Sequence, residues 1–338
     1  MREKFYFRKF FSNYSLYLIL LFLIIISTSL SPLFISYRNI VNLLMQGSFS
    51  GLLAIGMTFV ILTGGIDLSV GSIVGFSSIL FASLLHGSIF TFMPKTIFIY
   101  VDLVELSPVF HFPLNILFVV FIGSLIGFIN GAISYKFRIH SFIITLAIMI
   151  FIRGLAISYT DGQPLFGMPK YIEFLAYGEF LKVPMPVIIW VVSAIISGIL
   201  LKFTPFGRQI YAVGGNEEAA RLSGLNIFIG RVAPFVISGF FAALVGIIMS
   251  GRMSCGDPKI AEGWELNAIA AVVIGGASLF GGRGSIAGTL IGTLIVSLLI
   301  NIMNLLEMSA YHQEMTKGLI IILSLVMQNI LRKNEIEN

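Results

Sequence analysis

Long apolar stretches, separated by short polar connections, dominate the whole chain. A membrane-spanning helix needs about 20 mostly apolar residues, within a range of about 17–25. Eight stretches without any charged residue reach that length: 10–37, 39–66, 68–94, 106–135, 183–201, 232–251, 266–282 and 284–306. Two further apolar stretches, 139–159 around Arg153 and 314–331 around Lys317, have similar length. The pattern therefore predicts about ten transmembrane helices.

The composition agrees with this pattern. Hydrophobic residues make up 57% of the 338 residues and charged residues 11%, whereas soluble domains carry about 25% charged residues. So many apolar side chains do not fit into one water-soluble core, and lipid is the simplest solvent for them. We therefore predict an all-α polytopic membrane bundle in which residues 1–338 form a single transmembrane domain.

The basic residues predict an orientation. Lysine and arginine concentrate in the cytoplasmic loops of membrane proteins. With ten crossings and a cytoplasmic N-terminus, thirteen basic residues fall in inside segments and six in outside segments. Both termini are then expected in the cytoplasm. The loops 88–112 and 160–185 are expected outside, and the loop 203–230 is expected inside.

Two glycine-rich segments echo each other in the two halves of the chain. Residues 64–75 read GGIDLSVGSIVG and residues 275–288 read GGASLFGGRGSIAG. Paired glycine-interrupted segments in a transporter point to its transport pathway. Glycine is also frequent in membrane helices in general, so a chance similarity stays open as the alternative.

The inside loop 203–230 predicts a short helix that begins after Asn216. An Asn side chain can cap a helix by accepting a backbone N–H bond, and Glu217 and Glu218 suit the positive N-terminal end. The residues that follow favour helix, and Gly224 fits a left-handed helix stop. Two turns of helix are too few to be stable alone in water. We therefore expect this helix to dock, preferably on a cytoplasmic protein partner.

Three stretches resemble one protein family over almost the whole chain. They are 207–226 in the inside loop, AIGMTFVILTGGIDLSVGS at 54–72 and EGWELNAIAAVVIGGASLFGGRGSIAGTLIG at 262–292. The chain resembles the permease subunits of ribose-type, or simple-sugar, ABC importers. The resemblance implies import of a monosaccharide or a related small solute across a bacterial inner membrane. It also implies that 203–230 is the coupling loop, with the following ATPase-coupling residues: Gly214, Gly215, Asn216, Glu217, Glu218, Ala219, Arg221, Leu222 and Gly224.

The partners expected from this resemblance are separate proteins. They are an ABC ATPase subunit, an extracytoplasmic solute-binding protein and a second permease copy, identical or similar, in addition to membrane lipid. The chain contains no G-x-x-x-x-G-K-[ST] sequence, so the phosphate-binding loop of an ATPase is missing. We expect ATP to be used by the partner subunit. We expect no cofactor, catalytic residue, metal site or nucleic-acid partner in this chain.

Polar residues inside predicted spans are the candidates for the substrate pathway. The candidates are Asp67, Ser69, Asn130, Thr145, Arg153, Asn267 and Asn301. A carboxylate at membrane depth is costly and usually faces a cavity or a partner, but Asp67 could equally cap a helix through the amide of Ser69 or Val70. Arg153 could instead extend to the outer headgroups or pair with Asp161. The other side chains could simply bond helix to helix.

Three other functional classes were weighed against the sugar importer. A nucleoside or branched-chain amino-acid ABC permease would share the same architecture, although the motif at 54–72 favours the sugar type. An ion-driven secondary transporter predicts several intramembrane acids, and Asp67 is the one strong candidate. An intramembrane enzyme predicts a nucleophile with a base, or a metal-binding group of side chains, and the sequence shows neither. The identity of the solute stays open at this point.

Overall fold

The computed structural model describes residues 2–85, 90–92, 97–99, 108–320, 322 and 326, with side chains described for 16–85, 112–320, 322 and 326. The described chain is a helical bundle. Its helices are α1 (Arg2–Leu30), α2 (Tyr37–Leu62), α3 (Val70–Leu85), α4 (Pro108–Phe137), α5 (Ser141–Thr160), α6 (Glu173–Tyr177), α7 (Met185–Phe203), α8 (Pro205–Gly215), α9 (Glu217–Leu222), α10 (Ile227–Met253), α11 (Trp264–Ile274) and α12 (Ile286–Leu305). Residues 310–320 are also helical.

The strands are short and pair locally. They are β1 (Phe90–Phe92), β2 (Ile97–Ile99), β3 (Leu165–Phe166), β4 (Glu179–Phe180), β5 (Val183–Pro184) and β6 (Cys255–Gly256). The pairs are β1 with β2, β3 with β6 and β4 with β5, all antiparallel. These strands lie in connections between helices and form three two-stranded sheets. The predicted all-α membrane fold is therefore confirmed.

Helices α2 and α10 form the centre of the bundle. Every residue from Gly51 to Thr63 in and after α2 is buried, as expected for a helix surrounded by other helices. Small residues let α10 approach α4 closely: a Cβ at Gly239 would overlap the carbonyl oxygen of Gly123, and one at Gly127 would overlap that of Phe235. Close contact through small residues is how helices pack where no hydrophobic effect acts between them.

Among the residues whose side chains are described, six helices are long and apolar enough to cross a membrane. They are Tyr37–Leu62, Phe112–Phe137, Ser141–Thr160, Met185–Phe203, Ile227–Met253 and Ile286–Leu305. The apolar helices α3 and α11 are shorter, with 16 and 11 residues. At 1.5 Å per residue, α11 extends only about 16 Å, roughly half of a hydrocarbon core. The prediction that 266–282 is one continuous span is therefore wrong. The helix ends at Ile274, where Gly275 and Gly276 follow, and the exact count of ten crossings stays a prediction.

The bundle has two distinct ends. At one end, the amide of Gly282 donates to the carbonyl oxygen of Leu62 at 2.8 Å, and Gly214 lies against the same carbonyl. At the other end, β3 pairs with β6, and the Tyr37 hydroxyl bonds to the carbonyl of Lys182 at 3.3 Å. The first end holds the loop predicted inside, and the second end holds the loop 160–185 predicted outside. Part of the other predicted outside loop, 88–112, lies outside the described residues.

Candidate functional site

Two glycine-rich segments interrupt helices at the same end of the bundle. We call residues 63–69, between α2 and α3, the first break, and residues 275–285, between α11 and α12, the second break. The two segments meet at the bond from Gly282 to Leu62, and a Cβ at Gly64 would lie 3.4 Å from the carbonyl oxygen of Phe280. The sequence echo therefore corresponds to two helix interruptions in direct contact.

The first break begins as a glycine-terminated helix end. Gly64 has φ +74°, a left-handed conformation that glycine adopts without strain. Its amide donates to Ile61 at 2.8 Å, and the amide of Gly65 donates to Val60 at 3.0 Å. These two hydrogen bonds satisfy the last carbonyls of α2. The chain then turns into the bundle interior towards Asp67.

Asp67 is fully buried and accepts three hydrogen bonds. Its Oδ1 accepts from the Ser69 amide at 3.0 Å and the Ser69 hydroxyl at 2.6 Å, and its Oδ2 accepts from the Ser238 hydroxyl of α10 at 2.7 Å. The interpretation as a local cap through the Ser69 amide is thus consistent with this geometry. The bond to Ser238 adds a connection from the first break to α10. Ser238 was missed as a site residue, and its polar character within a long span was the available signal.

Two more predicted pathway residues surround the same segment. The Asn130 amide nitrogen donates to the Ser69 hydroxyl at 2.8 Å, and the Thr145 hydroxyl donates to Ile66 and accepts from the Leu68 amide, both at 3.1 Å. The Oδ1 atom of Asn130 is buried and has no hydrogen-bond partner in the described part of the chain. The fold therefore brings Asp67, Ser69, Asn130 and Thr145 together around the first break.

The remaining pathway candidates lie elsewhere. Arg153 donates from one nitrogen to the carbonyls of Pro258 (2.5 Å) and Ile260 (3.1 Å), so it holds the connection before α11 rather than Asp161. The side-chain amides of Asn301 and Asn39 form two hydrogen bonds with each other, at 2.8 and 3.1 Å, which join α12 to α2. Asn267 lines a small cleft beside Lys317.

The coupling loop has more helix than the sequence predicted. Helix α8 starts with Thr204, whose hydroxyl accepts from the Gly207 amide at 3.2 Å, followed by Pro205 in the first helical position. A capping threonine followed by proline is a helix-start signal that was available in the sequence. Gly214 and Gly215 are the last two residues of this helix, and the chain turns at Asn216.

Helix α9 has the predicted ends. The Asn216 side chain accepts from the Ala219 amide at 3.0 Å, and Glu217 and Glu218 lie in the first turn. Gly224 has φ +78°, and the Leu225 amide returns to Ala220 at 3.1 Å, which closes the C-terminal end. Both predicted caps are therefore present in the structure.

The docking surface of α9 is partly supplied by the chain itself. Ala220 is buried with Val213 of α8 and Ile227 of α10. The expectation that only a partner protein holds this helix is therefore incomplete. The opposite face stays open, because Leu222 is 81% exposed and both side chains of the Glu218–Arg221 ion pair are exposed. One face of α9 packs on its own chain, and the other face is free for a partner.

Contacts from α8, α9 and α10 reach both breaks. Arg231 of α10 donates to Glu217 Oε2 through two nitrogens, at 2.8 and 2.5 Å, and a third nitrogen donates to the carbonyl of Thr63. The Tyr211 hydroxyl donates to Gly284 in the second break at 2.8 Å. A Cβ at Gly214 would overlap the Leu62 carbonyl oxygen. The coupling loop and the two breaks thus form one connected junction.

These features define a class of protein: a polytopic helical membrane protein with interrupted helices and a short, half-exposed helix at one end. The chain belongs to the family described as "Branched-chain amino acid transport system / permease component", whose family model matches residues 39–326. The chain is similar to the ribose import permease protein of Haemophilus influenzae, with 40% identity over 93% of this chain and 92% of that protein.

Two other relatives show the breadth of the similarity. The ribose import permease protein of Bacillus subtilis is 41% identical, over 91% of this chain and 90% of that protein. The L-arabinose ABC transporter permease protein of Azospirillum brasilense is 34% identical, over 94% and 88%. No solved structure matches the chain. Family membership and the apolar helices make this chain a multi-pass membrane permease component.

Proposed function

We propose that this chain is the permease subunit of an ATP-driven importer that moves a ribose-like monosaccharide across a bacterial inner membrane. The observation that carries the proposal is the similarity to ribose import permeases over more than nine-tenths of both chains. Permeases named for arabinose and allose are also relatives. The substrate is therefore a sugar, and a ribose-like pentose is the first to test.

The geometry supports a separate role for each subunit of the importer. An ABC ATPase subunit binds and hydrolyses ATP, and docks on the open face of α9 around Leu222. A solute-binding protein delivers the sugar at the opposite end of the bundle, and a second permease copy completes the path. The end with the breaks and the coupling loop faces the cytoplasm, because basic residues lie in its connections, its short helices and the adjoining ends of the long helices. They are Lys136, Arg138, Lys202, Arg208, Arg221, Arg231 and Arg283. This chain itself binds no cofactor and does no covalent chemistry.

The junction gives a mechanism for coupling. When the ATPase subunits close, α9 moves with them. Helix α10 follows, because its Ile227 packs on Ala220 of α9 and its Arg231 is hydrogen-bonded to Glu217 of α9. Arg231 and Ser238 of α10 hold Thr63 and Asp67, so the first break moves with α10. The side chains around Asp67 then change their alignment, and the pathway opens to the other side. Asn130 Oδ1 becomes available to a sugar hydroxyl in that rearrangement.

A reconstitution experiment tests the proposed function. The chain is purified with its ATPase and solute-binding partners and placed in vesicles. Uptake of labelled ribose, arabinose, allose and leucine is then measured with and without ATP. We expect ATP-dependent uptake of a sugar. Uptake of leucine alone would favour the branched-chain amino-acid alternative. Uptake that persists without ATP but stops with a protonophore would replace the importer by a secondary transporter.

A surface variant with a matched control tests the docking face. Leu222→Asp places a charge on the open face of α9, and we expect it to reduce ATPase binding and ATP-dependent uptake severalfold. Leu181 is 83% exposed in the connection before α7, at the opposite end of that helix. Leu181→Asp is therefore expected to leave ATPase binding unchanged. Equal binding of the ATPase to both variants would contradict docking at α9.

A further inference from the structure

A cleft beside α9 shares Glu217 and Arg231 with the coupling junction, but its open space and its other basic residues have no part in that mechanism. It has a volume of about 830 Å³ and lies between the α4–α5 connection, α9 and the start of α10. Residues 63–65 and Gly131 line its inner part. The cleft is large enough to hold a small-molecule headgroup.

The cleft has an excess of positive charge. Lys136, Arg138, Arg221 and Arg231 line it, against the single carboxylate of Glu217. Glu217 is bonded to Arg231, and Arg221 is paired with Glu218. Lys136 and Arg138 are exposed, and no carboxylate among the described residues forms an ion pair with either. Two cations are therefore available to an anion.

Aromatic side chains form one rim of the cleft. Phe228 of α10 makes edge contacts with Tyr135 and Phe128 of α4, at ring-centroid distances of 5.5 and 6.4 Å. All three rings remain about 40% exposed, and all three line the cleft. Tyr135 is amphipathic, and such residues collect where membrane meets water, while Phe128 and Phe228 add an apolar surface beside it. This rim therefore places the mouth of the cleft at the depth of the lipid headgroups, with acyl chains next to the exposed faces of α4 and α10.

We propose that this cleft binds the phosphate headgroup of an anionic phospholipid from the cytoplasmic leaflet. Lys136 and Arg138 contact the phosphate, and the aromatic rim contacts the glycerol and the first acyl carbons. Basic pockets between helices on the cytoplasmic side are general headgroup sites. The aromatic rim favours a lipid over an acidic segment of a partner protein. The proposal rests on the orientation proposed above, and a bound lipid would bridge the α4–α5 connection to α10.

The chain offers a matched pair of double variants. Lys136 lies over the Phe137 ring at 5.8 Å, and Lys202 lies over the Phe203 ring at 5.4 Å, but neither Lys202 nor Arg208 lines the cleft. Both Lys136→Gln/Arg138→Gln and Lys202→Gln/Arg208→Gln remove two positive charges from the same end of the bundle. Only the first pair removes them from the cleft.

The experiment measures lipid binding by native mass spectrometry, for the full chain alone and for its complex with the ATPase. Each protein is delipidated and titrated with phosphatidylglycerol and, separately, with phosphatidylcholine. We expect wild type and the Lys202/Arg208 variant to prefer phosphatidylglycerol. The Lys136/Arg138 variant should bind it roughly thirtyfold more weakly, a factor of about five for each charge. Lys136→Arg/Arg138→Lys, which keeps both charges, should restore binding.

Several results would overturn the proposal. They are an equal loss of phosphatidylglycerol binding in both double variants, no loss of binding in either, and failure of the Lys136→Arg/Arg138→Lys variant to bind although it folds. Displacement of the lipid by inorganic phosphate at similar concentration would identify a soluble-anion site instead. Binding to the chain alone but not to the complex would show that the ATPase occupies the cleft. Because binding is read without transport, failure of the importer proposal in the uptake assay is recognised separately.

Discussion

The first and second breaks share a glycine-rich pattern and touch each other, but different kinds of contact hold them. The first break is mostly buried, and side chains from three other helices bond to it: Asn130 of α4, Thr145 of α5, and Ser238 and Arg231 of α10. The second break is held mainly through backbone bonds, such as Ser278 to Arg283 at 2.9 Å. Four of its glycines have positive φ, and Phe280 is 63% exposed.

Both breaks have a side-chain bond from this end of the bundle, since the Tyr211 hydroxyl bonds to Gly284, but the first break is also bonded to the side chains of three long helices. A side-chain network fixes a segment to particular neighbours, so the first break follows α10. Backbone bonds among glycines hold a local shape with fewer ties to neighbouring helices, and glycine tolerates changes of φ and ψ. We therefore expect the first break to transmit movement and the second break to adapt to it.

The largest expected effect comes from Gly214, which touches the second break and the end of α2 that leads into the first break. In Gly214→Val, the new side chain would overlap the Leu62 carbonyl and come within 2.9 Å of the Gly282 amide. Overpacking against backbone costs about 3 kcal/mol or more at such a tight site. Gly215→Ala is the control, because nothing lies within 4 Å of a Cβ there. Thermal unfolding in detergent measures both, and equal stability would disprove the tight junction.

The next effect concerns the side-chain network of the first break. Asp67→Ala leaves the buried hydroxyls of Ser69 and Ser238 without their acceptor, which we expect to cost about 1–3 kcal/mol. Ser238→Ala removes one bond of the same network. The double variant should therefore lose less stability than the sum of the two single losses. Additive losses in the unfolding free energy would show that Asp67 and Ser238 act independently.

A smaller effect on stability, with a clear effect on coupling, is expected for Glu217→Gln. It weakens the bridge from α9 through Arg231 to Thr63, while Glu218→Gln affects only an exposed pair. Exposed ion pairs contribute about 0–1 kcal/mol, so both variants should fold. We expect Glu217→Gln to lower the sugar transported per ATP hydrolysed severalfold, and Glu218→Gln to keep the wild-type ratio. If both variants transported the same amount of sugar per ATP hydrolysed, Arg231 would not transmit movement from α9 to the first break.

The smallest effect is expected in the second break. The Ser278 hydroxyl accepts one weak bond from the Phe280 amide at 3.3 Å, and Ser278 is only half-buried. Ser278→Ala should cost about 0.5 kcal/mol and leave transport unchanged. A loss as large as that of Asp67→Ala would mean that the second break depends on side-chain bonds after all. The unfolding free energies of the two variants, measured side by side, decide this.

The sequence predicted the local features of the coupling loop well. The Asn216 cap, the two acidic residues after it and the Gly224 stop all depend on contacts within a few residues. Four of the polar residues that it predicted for the substrate pathway cluster at the first break: Asp67, Ser69, Asn130 and Thr145. Arg231 and Ser238 were missed as site residues, because their partners are 168 and 171 residues away in the chain. Sequence periodicity carries no information about such pairs.

Apolar length by itself determined that this protein is a membrane bundle, because stretches of about 20 uncharged residues are stable only in lipid or inside a bundle. Local cap chemistry determined where α9 begins and ends. Only the tertiary structure decided that α11 is a short helix, that the two glycine-rich segments touch, and that α9 packs one face on its own chain. These properties arise from contacts between residues far apart in sequence, whose geometry depends on how the helices pack.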